Sequence, residues 1–221
     1  MYCYEYPHPA VTTDVVVFAI RNDRLELLLI KRAFEPYQGH WALPGGFVDI
    51  DEDLSACALR ELEEETGITG VYLEQLCTVG TPGRDPRERV ISVVYFALLA
   101  EDKLEARAAS DAAAVAWFSV RDYPRLAFDH NMIVQKAHHR LAAKLSYSTI
   151  ALQFMPRRFT LSQLQRVYEL ILGEELDKRN FRKRILSMDC LKEDGGLLNG
   201  GKHRPAKLYQ AKQPDRVDFV R

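Results

Sequence analysis

The chain has 221 residues, 47% of them apolar, and a net charge of −1, which suits one large or two modest soluble domains with ample core material. No basic start leads into an apolar run and no stretch approaches membrane-spanning length, so a membrane span or leader is not expected and the cytoplasm is the expected location. The four cysteines (Cys3, Cys57, Cys77 and Cys190) are scattered without CxxC or zinc spacing, which excludes a disulfide framework and points to a reducing compartment.

Taken in order, Thr13–Ile20 and Leu25–Ile30 are β-branched and aliphatic runs separated by Arg21-Asn22-Asp23-Arg24, which predicts a hairpin. Lys31 and Arg32 close the second strand, and a loop with Pro36 and Gly39 leads to a strand at Trp41. From about Asp53 to Thr66 the apolar residues Leu54, Cys57, Ala58 and Leu62 recur at helical spacing, predicting an amphipathic helix. Strands follow at Tyr72–Val79 and Val90–Leu99 around a turn-rich loop, Gly80 to Glu88. A polar loop over Glu101–Ser110, a short strand at Val115–Phe118 and a helix over Phe128–Leu145 complete an α+β sandwich.

Chemistry concentrates on the first helix. Positions i, i+3 and i+4 share a helix face, which gathers Glu61, Glu64 and Glu65, with Arg60 on a neighbouring row. Three like charges on one face repel unless a cation sits among them. Oxygen-only ligands suit a hard divalent ion, Mg²⁺ or Mn²⁺, held by a few carboxylates plus substrate phosphates. Arg60 can pair in bidentate fashion with a carboxylate and fix it. A plain solvated acidic face is the other reading of such a charge run.

The full pattern runs Gly46, five residues, Glu52, seven residues, then Arg60-Glu61-Leu62-x-Glu64-Glu65-x-Gly67-Ile68. It resembles the box of the Nudix hydrolases, with every specified position filled, and Trp41–Gly46 is similar to the run that precedes that box. The resemblance implies an α/β/α sandwich over roughly residues 10–145 and water attack on a bridging phosphorus with a divalent metal. It implies catalytic roles for Arg60, Glu61, Glu64, Glu65 and Glu52, the first metal ligands being Glu61 and Glu65 with Glu64 close behind. Gly46 would let the backbone approach metal or phosphate. No residue stands out as a general base; Ala114 occupies a place where similar proteins often carry a glutamate.

The loop Gly80-Thr81-Pro82-Gly83-Arg84-Asp85-Pro86-Arg87 carries two guanidinium groups and one carboxylate. Arginine forks suit pyrophosphate oxygens; an ordinary surface loop with an internal Arg–Asp pair is the alternative. Pro82 stands where Nudix proteins that act on ADP-ribose carry a proline beyond the box. ADP-ribose, or another nucleoside diphosphate linked to a sugar, is therefore the first substrate expected. Arg32, Gly46, Arg84, Asp85 and Arg87 are its candidate contacts, with Lys31 a weaker one.

Beyond Ser146 the character changes. Residues 1–150 carry 15 Lys and Arg against 22 Asp and Glu, a balance of −7, whereas residues 151–221 carry 15 against 9, a balance of +6. Thr160 and Gln163 have capping-box spacing ahead of a stripe of Leu164, Val167, Tyr168 and Ile171. Asp177 caps a second helix, Lys178 to about Met188, apolar at Phe181, Ile185 and Leu186 and otherwise strongly basic. A Gly195-Gly196 turn and the basic run Lys202-His203-Arg204-Pro205-Ala206-Lys207 follow. Helix, turn, basic helix and glycine-rich hairpin is the order of a winged helix-turn-helix, whose second helix enters the major groove. Lys178, Arg179, Asn180, Arg182, Lys183, Lys202, Arg204 and Lys207 are the expected DNA contacts; a basic appendage for dimerisation or solubility is the competing reading.

A Nudix domain over 1–148 followed by a winged helix over 149–221 resembles the Nudix-related transcriptional regulators of NAD metabolism. The resemblance implies a homodimer that binds a palindromic double-stranded operator and whose Nudix part takes ADP-ribose or a related nucleotide. Some members carry a damaged box and do not hydrolyse; this chain keeps every box position. Two functions stay in view: a DNA-binding regulator that also hydrolyses, and an ADP-ribose pyrophosphatase whose tail serves assembly.

Overall fold

A computed structural model describes residues 5–100, 112–198, 206–214 and 216–219. Two compact units divide the chain. The first takes residues up to Phe18, Glu26–Leu98 and the stretch ending at Ala137; the second takes His138 onward together with Ala19–Leu25.

The first unit is built on a seven-stranded sheet. Its main path runs β3 (Trp41–Ala42), β2 (Arg24–Arg32), β1 (Ala10–Arg21), β6 (Val90–Leu99) and β5 (Tyr72–Val79). Two further strands, β4 (Gly45–Phe47) and β7 (Ala112–Ser119), pair with β1 and β2. Every residue of β1 from Thr12 to Ala19 is buried, as expected of a central strand covered on both faces. Asn22 and Asp23 both take positive φ, 48° and 59°, the paired left-handed geometry that matches the twist of a two-residue hairpin.

Helix α1 (Leu54–Thr66) forms where its periodicity predicts it. Asp53 caps it, accepting from the Ser55 backbone N–H at 2.9 Å, and the chain leaves at Gly67. Cys57, Ala58 and Leu62 are buried, and so is Glu65 among the acidic residues, whereas Glu63 and Glu64 are exposed. Helix α2 (His130–Lys144) begins two residues later than the sequence suggests, because Phe128 adopts φ 53° and cannot belong to a helix. The expected loop at Glu101–Ser110 lies outside the described residues.

In the second unit α3 (Leu161–Leu172) opens on a complete capping box: the Gln163 backbone N–H donates to Thr160 Oγ1 at 3.2 Å and the Thr160 N–H to Gln163 Oε1 at 2.8 Å. Leu164, Val167, Tyr168 and Ile171 are buried. Helix α4 (Lys178–Ser187) buries Phe181 and Ile185, with the Phe181 ring 5.1 Å from that of Tyr168. Leu186, expected on the apolar side, is 44% exposed; one residue on from Ile185 it turns about 100° around the axis, off the 181/185 row. A short 3₁₀ turn at Ile150–Phe154 precedes α3 and has no clear signal in the sequence.

Strands β8 (Leu191–Leu198) and β9 (Ala206–Ala211) pair antiparallel. Gly195-Gly196, expected as a turn, instead lies inside β8. The register slips between Glu193 and Leu197, and Gly195 takes φ 74°, so the pair of glycines forms a bulge. No helix among the described residues is long and apolar enough to cross a membrane.

Thr160 ties two backbone groups at the start of α3. Replacing it with Ala should lower stability by about 1 kcal/mol, with Thr160→Ser close to wild type, measured by urea unfolding of both variants.

Candidate functional site

Arg60 organises the acidic face of α1. Its Nε and Nη2 donate to the two oxygens of Glu52, both at 2.8 Å, and its Nη1 donates to Glu61 Oε1 at 2.8 Å and Glu64 Oε2 at 3.2 Å. Nη2 also reaches the Phe47 carbonyl at 3.3 Å. The bidentate Arg60 contact takes the Glu52 carboxyl down to about 2. Glu61 moves the other way: burial raises it, against the pull of Arg60.

The expected cluster of three carboxylates does not form. Glu61 and Glu65 line one cleft, while Glu64, its side chain 52% exposed, and Glu52 stand outside it on Arg60. Helical geometry explains the split. At about 100° per residue, Glu65 lies about 40° from Glu61 on one side and Glu64 about 60° on the other. Glu65 is buried and its Oε2 accepts from the Gly45 backbone N–H at 2.9 Å. The β1–β4 register sets Gly46 opposite Thr13 and brings it against Glu61. A Cβ on Gly46 would fall 2.2 Å from Glu61 Oε1, so only glycine leaves the carboxylate its place.

The predicted substrate contacts Arg32, Gly46, Arg84, Asp85 and Arg87 all line this cleft. Their charges are not equally available. Arg84 is nearly buried and spent on Asp129, donating to its two oxygens at 3.0 and 2.7 Å, with Asp14 Oδ2 at 3.5 Å. Arg87 pairs in bidentate fashion with Asp85, the internal pair that the sequence left open. Arg32 has carbonyls for partners: Nε donates to Pro36 O at 2.7 Å and Nη2 to Phe34 O at 3.5 Å. Burial, and then the neighbouring Arg87, lower its affinity for its proton. The Arg87 guanidinium lies 5.0 Å from the Phe47 ring and 6.0 Å from that of Phe128, and Arg32 lies 5.0 Å from Phe128. Lys31, on β2 opposite Trp41 and Ala114, does not line the cleft.

Several cleft residues escape sequence reasoning. Asp14 is buried, takes a hydrogen bond from Ser92 Oγ and faces His130 Nε2 at 3.4 Å. Its signal was present, a lone charge inside an apolar strand run, since buried charges need partners. His130, Phe47 and Phe128 in the cleft, and Asp129 behind Arg84, carry none.

A divalent ion fits these residues. The donors are all oxygen, on two carboxylates of adjacent turns, and the Glu61 carboxylate is desolvated beside a glycine that makes room for it. Among the described residues no group of three His, Cys, Asp or Glu side chains forms a ready cage. Mg²⁺ is commonly held by one or two carboxylates with substrate phosphates completing its shell, which is what the pair supplies.

The second unit presents a basic face. Lys178, Arg179, Asn180, Arg182 and Lys183 are all exposed on α4, while Phe181 and Ile185 are buried. None of the four cations in that set has an ion-pair partner among the described residues. Arg184 differs, donating to the Leu145 carbonyl at 2.6 Å. Lys207, on β9, pairs with Glu193 at 2.9 Å. Lys202 and Arg204 lie outside the described residues.

A NUDIX domain model matches residues 11–138 and a model for the NrtR DNA-binding winged helix domain matches residues 151–211. The ADPR responsive transcriptional repressor NtrR of Acinetobacter baylyi is 40% identical over 93% of this chain and 83% of its own. The ADP-ribose pyrophosphatase of Methanocaldococcus jannaschii is 39% identical over 59% of this chain and 73% of its own. The crystal structure of Shewanella oneidensis NrtR with a 27mer DNA superposes with a TM-score of 0.82 at 36% identity, covering 93% of this chain and 95% of that one. Its NUDIX domain in complex with ADP ribose matches with a TM-score of 0.58 at 36% identity, over 62% of this chain and 90% of that one.

The Glu52–Arg60 pair should hold at neutral pH and release only in strong acid. A depressed carboxyl contributes its interaction above its ordinary value of 4.5 and loses it as pH falls through about 2. In a carbon-detected NMR titration Glu52 should show a midpoint near 2, returning to the ordinary carboxylate range in Arg60→Ala.

Proposed function

Because the chain belongs to the Nudix family, in the branch that carries an NrtR winged helix behind the Nudix domain, we propose that it is an ADP-ribose-responsive transcriptional repressor that also hydrolyses its ligand. One observation carries the reading: a single chain holds both a carboxylate–guanidinium cleft and an exposed helix with four cations that have no ion-pair partner among the described residues. The first is suited to a diphosphate and the second to a phosphate backbone.

In the cleft, Glu61 and Glu65 would hold Mg²⁺ or Mn²⁺. The ion would neutralise charge on the diphosphate oxygens and lower the pKa of a water near the phosphorus. Arg60, fixed by Glu52 and Glu64, keeps one oxygen of Glu61 in place and so orients the other. Arg32 offers the least neutralised guanidinium in the cleft and is the first candidate for the phosphates. Arg87, flanked by Phe47 and Phe128, would present its charge beside the nucleotide, with Asp85 setting its angle. Arg84 acts from behind, shaping the wall through Asp129. Water attack at phosphorus then breaks the diphosphate bridge, yielding AMP and ribose 5-phosphate.

In the region from residue 149 to the end, α4 would enter the major groove. Lys178, Arg179 and Lys183 serve phosphate and Asn180 and Arg182 reach base edges. Lys202, Arg204 and Lys207 would touch the flanking backbone. The chain acts in this reading as a cytoplasmic homodimer whose two α4 helices address half-sites about 34–36 Å apart. The other reading, a pyrophosphatase with an assembly domain, is favoured by the complete set of box residues but leaves the cations of α4 without a role.

Release of AMP from ADP-ribose with Mg²⁺ should be seen for the wild type. Glu65→Gln should lower it by at least about a hundredfold, since loss of even supporting groups around a metal costs 10–100-fold, while binding to the chain's own upstream DNA stays unchanged in a gel shift. Loss of both together would argue against separate sites.

DNA affinity should fall steeply with salt, by about 0.9 log units per log unit of salt for each phosphate contacted. Lys178→Ala should make that slope shallower by about one. A flat wild-type salt response would favour the assembly reading.

A further inference from the structure

His130 is 3% exposed, stands at the first residue of α2 and lines the back of the cleft. Its Nδ1 accepts the backbone N–H of Leu43 at 3.0 Å, across 87 residues of chain. That acceptor role places the ring proton on Nε2, which faces Asp14 Oδ1 at 3.4 Å. Leu43 opens the short segment that forms the floor of the carboxylate cradle. Two residues on, the Gly45 N–H holds Glu65 Oε2 at 2.9 Å, and Gly46 abuts the carboxylate of Glu61. Between them the Pro44 carbonyl accepts from the Val15 N–H at 2.9 Å, so the segment is tied to β1 on one side and to α2 on the other.

We propose that His130 is a positioning residue: by accepting the Leu43 N–H it fixes the Leu43–Phe47 segment, and through Gly45 and Gly46 it sets where the Glu65 and Glu61 carboxylates stand. The inference rests on the reading that those two carboxylates receive the divalent ion. A histidine suits the task because a buried, neutral imidazole offers an acceptor on one side and a proton on the other. Burial, with Arg84 and Arg32 adding to it, lowers the ring's proton affinity against the opposing pull of Asp14 and Asp129. The Nδ1 lone pair therefore stays available to Leu43 at neutral pH. An amide or hydroxyl acceptor could do the same; an apolar side chain could not.

The test compares His130→Leu, which fills similar space without an acceptor, with His130→Asn, whose amide oxygen can stand where Nδ1 stands. Two quantities are read on the full chain: Mn²⁺ affinity by electron paramagnetic resonance, and hydrogen exchange of the peptide spanning Leu43–Phe47. We expect His130→Leu to fold, to lose protection in that peptide and to bind Mn²⁺ about tenfold more weakly, the lower end of the usual cost of disturbing groups behind a metal ligand. His130→Asn should keep both properties near wild type. Unchanged Mn²⁺ affinity in His130→Leu, or equal losses in the two variants, would overturn the proposal. Glu65→Gln serves as the reference. If it binds Mn²⁺ as wild type does, the metal reading fails, and the positioning role is then decided by exchange alone: unchanged protection in His130→Leu refutes it.

Discussion

The bidentate contact between Arg60 and Glu52 is the constraint on which the acidic helix depends. Without it, four carboxylates of one short stretch would repel across the end of a sheet. With it, the guanidinium is turned so that its remaining N–H groups reach Glu61 and Glu64. One cation thereby divides the acidic residues into two groups. Glu52 and Glu64 are used to hold Arg60, and Glu61 and Glu65 are left on the cleft side. A charge-assisted fork gives orientation as well as energy, and orientation is what a ligand-binding carboxylate needs. The acidic run is thus neither a simple solvated face nor a simple cage.

The two units use positive charge in opposite ways. In the cleft the arginines are matched to carboxylates or carbonyls: Arg84 to Asp129, Arg87 to Asp85, Arg32 to Pro36 and Phe34. Charges so held are stiff and partly neutralised, suited to a small ligand whose groups must meet fixed points. On α4 the cations extend into solvent on a helix secured from beneath by Phe181 and Ile185. Long exposed side chains without an ion-pair partner among the described residues suit a polyanion, where displaced counterions supply the driving force. The same residue type does different work because its partners differ.

Much of this was legible in the chain. The periodicity of Leu54, Cys57, Ala58 and Leu62 gave α1 nearly to its ends, and the Thr160 capping box and the Asp177 cap gave the starts of α3 and α4. These signals are local, and local rules govern them. The sandwich and the winged helix followed from the resemblance and from element order. What stayed hidden was set by contacts across long stretches of chain: Leu43 to His130, Arg84 to Asp129, Asp14 to Ser92. No spacing rule reports such partners. A glycine pair marks a turn and a bulge alike, and only pairing of Leu197 and Leu198 with β9 makes Gly195-Gly196 a bulge. Sharing a helix face does not mean sharing a direction: Glu61 and Glu65 line the cleft while Glu64 stands on Arg60.

The contact between Gly46 and the Glu61 carboxylate reaches beyond this cleft. The obstacle to a side chain there is the tip of a flexible glutamate and not the backbone, so a single methyl group would turn that oxygen aside while the strand beside it kept its course. An acidic box can therefore fall silent as a catalyst with every acidic letter still in place. Reading such a box for competence means weighing the bare position in front of it as heavily as the charges behind.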